Sequence, residues 1–149
     1  MWNYEKRLEY PVKIKQTNPA LAAMIISQYG GPDGELGASM RYISQRYSMP
    51  YREVSGLLTD IGKNVCGVLT DIGTEELGHF EMISTMVHQL TRNLSMEQIK
   101  GTPFEAYYVD HTAAVWPQAA GGIPFNACEF QSKGDAITDL HEDLAAEQK

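Results

Sequence analysis

The chain has 149 residues and a mass of 16.6 kDa, enough for one domain with a buried core. Its content of 43% hydrophobic and 21% charged residues is typical of a globular protein and excludes a disordered one. A net charge of −7, with no Lys/Arg cluster, argues against nucleic acid and anionic membranes as partners. No apolar run reaches the ~18 residues of a membrane span, and no secretory signal is recognisable.

The N-terminal part of the chain predicts an arm followed by a short helix. Residues 1–17 are expected to form an extended arm that lies on the domain. Asn18-Pro19 predicts a helix start, because Asn is a common N-cap and Pro suits the first helical position. A short helix is expected over residues 20–29, and the glycine-rich segment 30–34 is expected to break it.

A second helix is predicted from Glu35 to about Ser48, where Pro50 ends it. Its apolar stripe is read from spacings of four, three and four residues, over Leu36, Met40, Ile43 and Tyr47. Glu35 stands about 100° from the first of these, at the margin of the stripe. It is either a ligand near the core or a favourable charge at the helix N-terminus.

The longest helical region is predicted over residues 51–91, and ionisable residues interrupt its apolar face. Inward positions recur at helical spacing over Ile72, Glu76, His79, Ile83, Val87 and Leu90. Burying Glu76 or His79 without a partner would cost several kcal/mol. A Glu-x-x-His pair on one helix face is what carboxylate-bridged di-iron and di-manganese bundles use. The pair therefore indicates a metal site, with a chance solvated pair as the alternative.

This helical region contains a tandem repeat, in which residues 52–62 are followed at once by the similar residues 63–73. Eleven residues make three helical turns with only ~20° of drift, so an inserted copy would lengthen the helix by ~16 Å and keep Glu76 and His79 on their face. Alternatively one copy loops out, since four glycines weaken the helix. Both interpretations stay open, and we slightly favour the continuous helix.

Residues from about 93 to 134 show little periodicity and are rich in aromatic, Gly and Pro residues, which predicts a long irregular crossover. A final helix is predicted from about Asp135. Its stripe comprises Ile137, Leu140, Leu144 and then Glu147. A carboxylate again falls on an apolar face.

Glu35, Glu76, His79 and Glu147 are accordingly the candidate metal ligands. Each carboxylate alone has an ordinary solvated interpretation, but together they are the donors that a carboxylate-bridged dimetal bundle needs. The remaining histidines, namely His88, His111 and His141, are expected at the surface.

Three segments resemble the manganese-containing catalases, in particular their short spore-coat, CotJC-like branch. They are the Gly-Gly-Pro-Asp-Gly-Glu segment that ends at Glu35, the Thr-Glu-Glu-Leu-Gly-His segment that ends at His79, and the final helix up to Glu147. The resemblance implies one ferritin-like domain over residues 1–149 and disproportionation of hydrogen peroxide at two manganese ions. Glu35, Glu76 and His79 would hold the first ion, and Glu147 would serve the second.

The sequence departs from the family pattern in two ways. The fourth helix with its second Glu/His element is expected to be missing, and the Leu-Thr-Asp-Ile-Gly segment occurs twice. We therefore expect an all-α, incomplete ferritin-like bundle whose catalase activity is impaired. A non-catalytic spore-coat or assembly protein that retains the fold is the alternative, and iron is the alternative metal.

The expected partners and location follow from the same resemblance. Uncovered apolar stripes predict self-association or marginal stability. Copies of this chain or other spore-coat proteins are the expected protein partners. The expected location is the cytoplasm or the spore coat of a spore-forming bacterium. The two cysteines, Cys66 and Cys128, form no spaced pair, which indicates a reduced intracellular protein.

Overall fold

The structure is a computed structural model that describes residues 5–47, 65–107, 123–130 and 133–148. Its α-helices are α1 (Pro19–Ile25), α2 (Ser27–Gly30), α3 (Glu35–Gln45), α4 (Val65–Thr91), α5 (Met96–Ile99) and α6 (Ala136–Ala146). Two 3₁₀ helices cover Pro103–Tyr107 and Ala127–Glu129. The all-α class predicted from the sequence is confirmed. Within the described ranges, no helix combines the length and apolar character that crossing a membrane requires.

The first helix begins where the sequence predicts, but it is interrupted at Ile26, so α1 and α2 replace the single helix expected over residues 20–29, and α3 ends at Gln45 rather than about Ser48. The Asn18 side chain accepts a hydrogen bond from the Leu21 N–H at 3.0 Å, and Pro19 occupies the first helical position. The glycine-rich turn then leads into α3 with Gly34 as its N-cap. A Cβ atom on Gly37 would lie 2.5 Å from the Pro32 carbonyl oxygen, so only glycine fits where the turn folds against α3.

The predicted inward face of α3 is wrong at Met40 and Tyr47. Met40 is 41% exposed and Tyr47 is 64% exposed. The buried positions are instead small or polar, namely Gly37, Ala38, Ser39, Arg41, Tyr42 and Gln45. Small and polar residues are buried on α3 because this helix crosses α4 closely. At the crossing the Ser39 hydroxyl donates to the Gly73 carbonyl oxygen at 2.5 Å. Ile43 is the stripe residue that does face α4, and it fits there because Gly73 has no side chain.

Substituting Gly73 tests this crossing. Gly73→Ala should lower the free energy of unfolding by about 1–3 kcal/mol, because the added Cβ would lie 2.7 Å from Ile43 Cγ1 and 3.2 Å from the Ile43 nitrogen. Gly78→Ala is the matched control on α4. A Cβ there meets only a Glu9 carboxylate oxygen, at 3.2 Å, and this exposed side chain can move. Urea unfolding should show the control neutral or stabilised by up to about 1 kcal/mol; equal losses would contradict the close crossing.

The largest cluster of buried apolar residues lies where α1, α2 and the C-terminal half of α4 meet the segment after α4. Val87 and Leu90, which the sequence placed on the inward stripe, are fully buried there. The other buried members are Ala22, Ile26, Tyr29, Ile99, Phe104 and Tyr107. The Tyr29 ring stacks on the Phe80 ring, with 4.3 Å between the centroids. This cluster anchors α4, and through α4 it positions the Glu-x-x-His pair.

The arm before α1 lies along α4. The Gln89 side chain accepts from the Ile14 N–H at 2.7 Å and donates to the Val12 carbonyl oxygen at 3.0 Å. Arg92 also donates to the Ile14 carbonyl oxygen at 3.0 Å. These hydrogen bonds hold the backbone of the arm against Gln89 on α4 and Arg92 just after it.

The last helix begins as predicted but turns a different face inward. Asp135 caps α6 by accepting from the Thr138 N–H at 2.9 Å. The expected apolar stripe is exposed, with Ile137 at 71% and Leu144 at 61%. Asp139 and Asp143 are the buried residues of α6. The stripe prediction for α6 is therefore wrong, because polar bonds join this helix to its neighbours: the Asp143 carboxylate accepts from the Gln45 amide of α3 at 3.0 Å.

The tandem repeat is described only in part. Residues 65–73 of the second copy are helical and belong to α4. Residues 52–62, the first copy, lie outside the described residues, so the choice between a continuous and a looped copy stays a prediction. The crossover of about residues 93–134 contains α5 and the two 3₁₀ helices in its described portions.

Candidate metal centre

Three of the four predicted ligands meet between α3 and α4. Glu35 is the first residue of α3, and Glu76 and His79 lie one turn apart on α4. His79 Nδ1 is 2.9 Å from a Glu76 carboxylate oxygen and 3.7 Å from a Glu35 carboxylate oxygen. One ligand atom from each of the three side chains lies within 4.8 Å of the other two. This is close enough for the three to share one ion.

The pKa of Glu35 is strongly affected by this setting. Burial is the largest cause, and the hydrogen bond and negative charge of Glu76 add to it, raising the pKa of Glu35 from 4.5 to about 8. The charge of Glu147 raises this pKa further, while His79 opposes the change. Near neutral pH the Glu35 carboxyl group therefore keeps its proton in the metal-free protein and shares it with Glu76.

The pKa of His79 is also raised, by opposing causes. Burial by itself lowers the pKa of this imidazole. The hydrogen bond to Glu76 and the charges of Glu76, Glu35 and Glu9 outweigh burial, so the net shift is upward. The centre thus attracts positive charge, which a proton supplies when no metal does.

Glu147 lies apart from the compact group. It is the C-cap residue of α6, it is exposed, and its carboxylate accepts a hydrogen bond from the Tyr42 hydroxyl. It is not among the side chains whose ligand atoms lie within 4.8 Å of one another. Its effect on the pKa of Glu35 nevertheless places it near the centre. Its role as a ligand of a second ion stays a prediction.

Tyr42 is a site residue that the sequence analysis missed. Its side chain is buried in α3, and its hydroxyl holds the Glu147 carboxylate. Burial first, then the hydrogen bond to Glu147 and the nearby carboxylates, raise the pKa of Tyr42 well above its ordinary value, so the phenol remains a donor. A signal existed in the sequence: seven residues after Glu35 is nearly two helical turns, so Tyr42 shares the face of Glu35.

Tyr42→Phe should release Glu147 without disturbing the packing of α3. The ring is kept, and a bond to a charged acceptor is removed, so the free energy of unfolding should fall by about 1–2 kcal/mol. Urea unfolding measures this loss. Tyr47→Phe on the same helix is the control, because that side chain is exposed. A Tyr42→Phe protein as stable as the parent would show that the bond to Glu147 contributes nothing.

The donor set suits a divalent transition metal. Among the described residues, no lysine or arginine forms an ion pair with Glu35 or Glu76; their recorded ion-pair partner is His79. Two carboxylates in partial burial with one imidazole leave negative charge that a cation would neutralise. Carboxylate oxygens with a single imidazole suit manganese or iron, and they do not resemble the thiolate-rich sites of zinc or copper.

The histidines expected at the surface are found there where they are described. His88 and His141 are exposed. His111 lies outside the described residues. Glu9 approaches the other side of His79, at 3.9 Å from Nε2. Glu9 could not be recognised from the sequence, because helical periodicity relates residues within one helix and says nothing about contacts between the arm and α4.

Fold and site together define a helical-bundle protein with a candidate carboxylate–histidine metal centre. A sequence model of the family described as manganese containing catalase matches residues 1–149. The chain belongs to the manganese-containing catalase family. Family membership implies manganese as the metal, while the number of ions stays a prediction.

Individual relatives agree with this assignment. The chain is 50% identical to protein CotJC of Bacillus subtilis over 149 residues, which is all of this chain and 72% of CotJC. It is 28% identical to a probable manganese catalase of Clostridium acetobutylicum, covering all of this chain and 62% of that protein. The crystal structure of KatB, a manganese catalase from Anabaena, superimposes with a TM-score of 0.79 at 26% identity, covering 99% of this chain and 61% of KatB.

These similarities confirm the ferritin-like helical fold class. The chain spans 61–72% of the length of these three relatives. The absence of a fourth helix stays a prediction, and so does the metal role of each ligand.

Proposed function

We propose that this protein disproportionates hydrogen peroxide to water and oxygen at a manganese centre built on Glu35, Glu76 and His79. The observation that carries the proposal is the convergence of two hydrogen-bonded carboxyl groups and one imidazole from two helices, with ligand atoms within 4.8 Å. Membership of the manganese-containing catalase family supports it. Glu147, which Tyr42 holds near this group, would serve a second ion.

The protein groups have one task in this reaction, namely to hold and orient the metal ligands. One peroxide takes up two electrons and two protons to give two waters, and a second peroxide releases the same number to give oxygen. Bound manganese would supply the two-electron redox chemistry. The Glu35 carboxyl group, with its pKa of about 8 before metal binds, would give up its proton on becoming a ligand. The Tyr42 hydroxyl orients Glu147 by donating to it.

Oxygen evolution from peroxide tests the proposal. The manganese-loaded protein should evolve oxygen, and His79→Ala should abolish this evolution because the only imidazole of the described group is removed. His88→Ala is the matched control, since His88 is exposed on the same helix, and it should retain full activity. Oxygen evolution that His79→Ala leaves unchanged would contradict the proposal.

The two ions should differ in affinity. Glu35, Glu76 and His79 would bind the first ion. The second would have Glu147 and shared carboxylates, and among the described residues no histidine forms a group of ligand atoms with Glu147. A manganese titration should therefore show one tight and one weaker equivalent. Two equally tight equivalents would mean that this assignment of donors is wrong.

A structural role in a spore coat is the second candidate, which the resemblance to the CotJC-like branch implies. The exposed apolar stripe of α6 favours it, because Ile137 and Leu144 are large side chains suited to contact with other copies or other coat proteins. Metal analysis separates the candidates. Stoichiometric manganese supports the catalase, no metal supports the structural role, and iron bound in preference to manganese supports a di-iron protein.

A further inference from the structure

The two nitrogens of His79 face different partners. Nδ1 lies 2.9 Å from Glu76 and 3.7 Å from Glu35, so it is the nitrogen that faces the candidate metal position. A histidine nitrogen binds a metal through its lone pair and must be unprotonated. With Nδ1 on the metal, the neutral ring carries its proton on Nε2, which then needs an acceptor.

The group that faces Nε2 comes from the N-terminal arm. A Glu9 carboxylate oxygen lies 3.9 Å from Nε2. This distance is too long for a direct hydrogen bond, so the contact is electrostatic. It nevertheless places a negative charge where the outer proton of His79 would point. In the described part of the protein this is the one ion pair recorded for Nε2.

The placement of Glu9 is built into the fold in two ways. The carboxylate lies over Gly78, where a Cβ would come within 3.2 Å of it, so the missing side chain leaves the space that Glu9 occupies. The arm is held by Gln89, which bonds the backbone of Val12 and Ile14, three and five residues after Glu9. The arm is therefore fixed to the same helix that carries His79.

From this geometry we propose that Glu9 is a positioning residue for His79. It fixes the proton on Nε2 and holds the ring so that Nδ1 is available to the metal. The inference rests on the proposed function, because it takes Glu76 and His79 to be metal ligands. Carboxylates that accept from the outer nitrogen of a metal-bound histidine orient the ring and increase its basicity, and their loss commonly weakens metal binding 10–100-fold.

Manganese affinity, measured from the electron paramagnetic resonance signal of free Mn²⁺ in the absence of peroxide, tests this role. Glu9→Ala should weaken binding of the tight equivalent by about tenfold or more. Glu9→Gln keeps an acceptor oxygen and should recover part of the loss. Glu5→Ala is the matched control, because Glu5 is an exposed carboxylate of the same arm whose partner is Arg7. It should bind manganese like the parent.

The variants also show whether Glu9 positions His79 or only stabilises the fold, and whether the proposed metal site itself fails. Thermal unfolding of metal-free Glu9→Ala should match the parent, and Glu9→Ala should add no further loss in a His79→Ala background. If the parent binds manganese and His79→Ala abolishes binding, but Glu9→Ala binds as the parent does, the role of Glu9 alone is overturned. If His79→Ala also binds as the parent does, the proposed function and the inference both fail.

A Glu75 variant distinguishes the positioning role of Glu9 from an outer cation site. Glu9, Glu75 and His79 also bring one ligand atom each within 4.8 Å of one another, with both carboxylates exposed. Glu75→Ala should leave the tight equivalent unchanged if Glu9 acts through Nε2. Equal losses in Glu9→Ala and Glu75→Ala would indicate an outer cation bound by this group and would overturn the positioning role.

Discussion

Glu76→Gln should weaken manganese binding more than ~100-fold while leaving the metal-free protein about as stable as the parent. Glu76 is only 5% exposed and lies between the other two donors of the centre. Removal of a direct ligand should exceed the ~10–100-fold loss typical of outer partners. Glutamine has nearly the same shape, so the packing of α4 against α3 should persist.

The stability of the metal-free variant follows from charge. Glu76 raises the pKa of Glu35 both through its hydrogen bond and through its negative charge, which means that the two carboxylates destabilise each other when both are ionised. Near neutral pH Glu35 keeps its proton and donates to Glu76, and glutamine keeps an oxygen that can accept this bond. The melting temperature at neutral pH should therefore stay within a few degrees of the parent value, since 1 kcal/mol corresponds to about 2–4 °C for a domain of this size.

Manganese titration and thermal unfolding of the metal-free protein measure the two effects. Glu75→Gln is the matched control, because Glu75 is exposed and adjacent on α4. It should change neither quantity. A Glu76→Gln protein that binds manganese normally would remove Glu76 from the ligand set. One that is strongly destabilised without metal would show that Glu76 has a structural role instead.

Manganese binding at pH 7 should release about one proton or more, and affinity should rise with pH up to about 8. The pKa of Glu35 is about 8 in the metal-free protein, so this carboxyl group is largely protonated at pH 7 and must lose its proton to bind a metal. The raised pKa of His79 adds a further fraction of a proton. Each proton released corresponds to about tenfold in affinity per pH unit below the relevant pKa.

The same pKa sets the pH dependence of stability without metal. Because the pKa of Glu35 is higher in the folded protein than its ordinary value of 4.5, the fold favours the protonated form. Stability should be unaffected by this group below pH 4.5, decline as the pH rises from 4.5 to about 8, and change no further above that. Glu35→Gln should flatten this decline.

Calorimetric titration in buffers of different ionisation enthalpy counts the released protons. Urea unfolding of the metal-free protein across pH 4–9 measures the stability profile, with Glu35→Gln alongside the parent. Manganese binding at pH 7 without proton release would mean that Glu35 is ionised before the metal arrives.

Helix starts and the central ligand pair were predictable from the sequence. Local features determine a helix start, and both Asn18 and Asp135 cap the helices that the sequence assigned to them. The Glu76/His79 pair was recognisable because the two residues are three apart on one helix, so their proximity depends on helix geometry alone. The family resemblance was also recognisable, since each of its motifs is a short continuous segment of the chain.

The inward faces of α3 and α6 were decided by tertiary structure. Periodicity analysis assumes that the apolar side is buried, but Met40, Ile137 and Leu144 are exposed. Small and polar residues are buried instead, because α3 crosses α4 closely at Gly73 and bonds to α6 through hydrogen-bonding side chains. Hydrophobicity ranks residues by their transfer from water and contains no information about these specific pairings.

Contacts between residues distant in the chain complete the candidate centre. Tyr42 and Glu147 are 105 residues apart, and Glu9 reaches His79 only because the arm is bound to α4. Glu35 joins Glu76 through the packing of α3 on α4, which also raises its pKa. The sequence by itself determined the residue types and the local Glu-x-x-His geometry. Tertiary structure decided which other groups face that pair, because those distances depend on how separate helices pack.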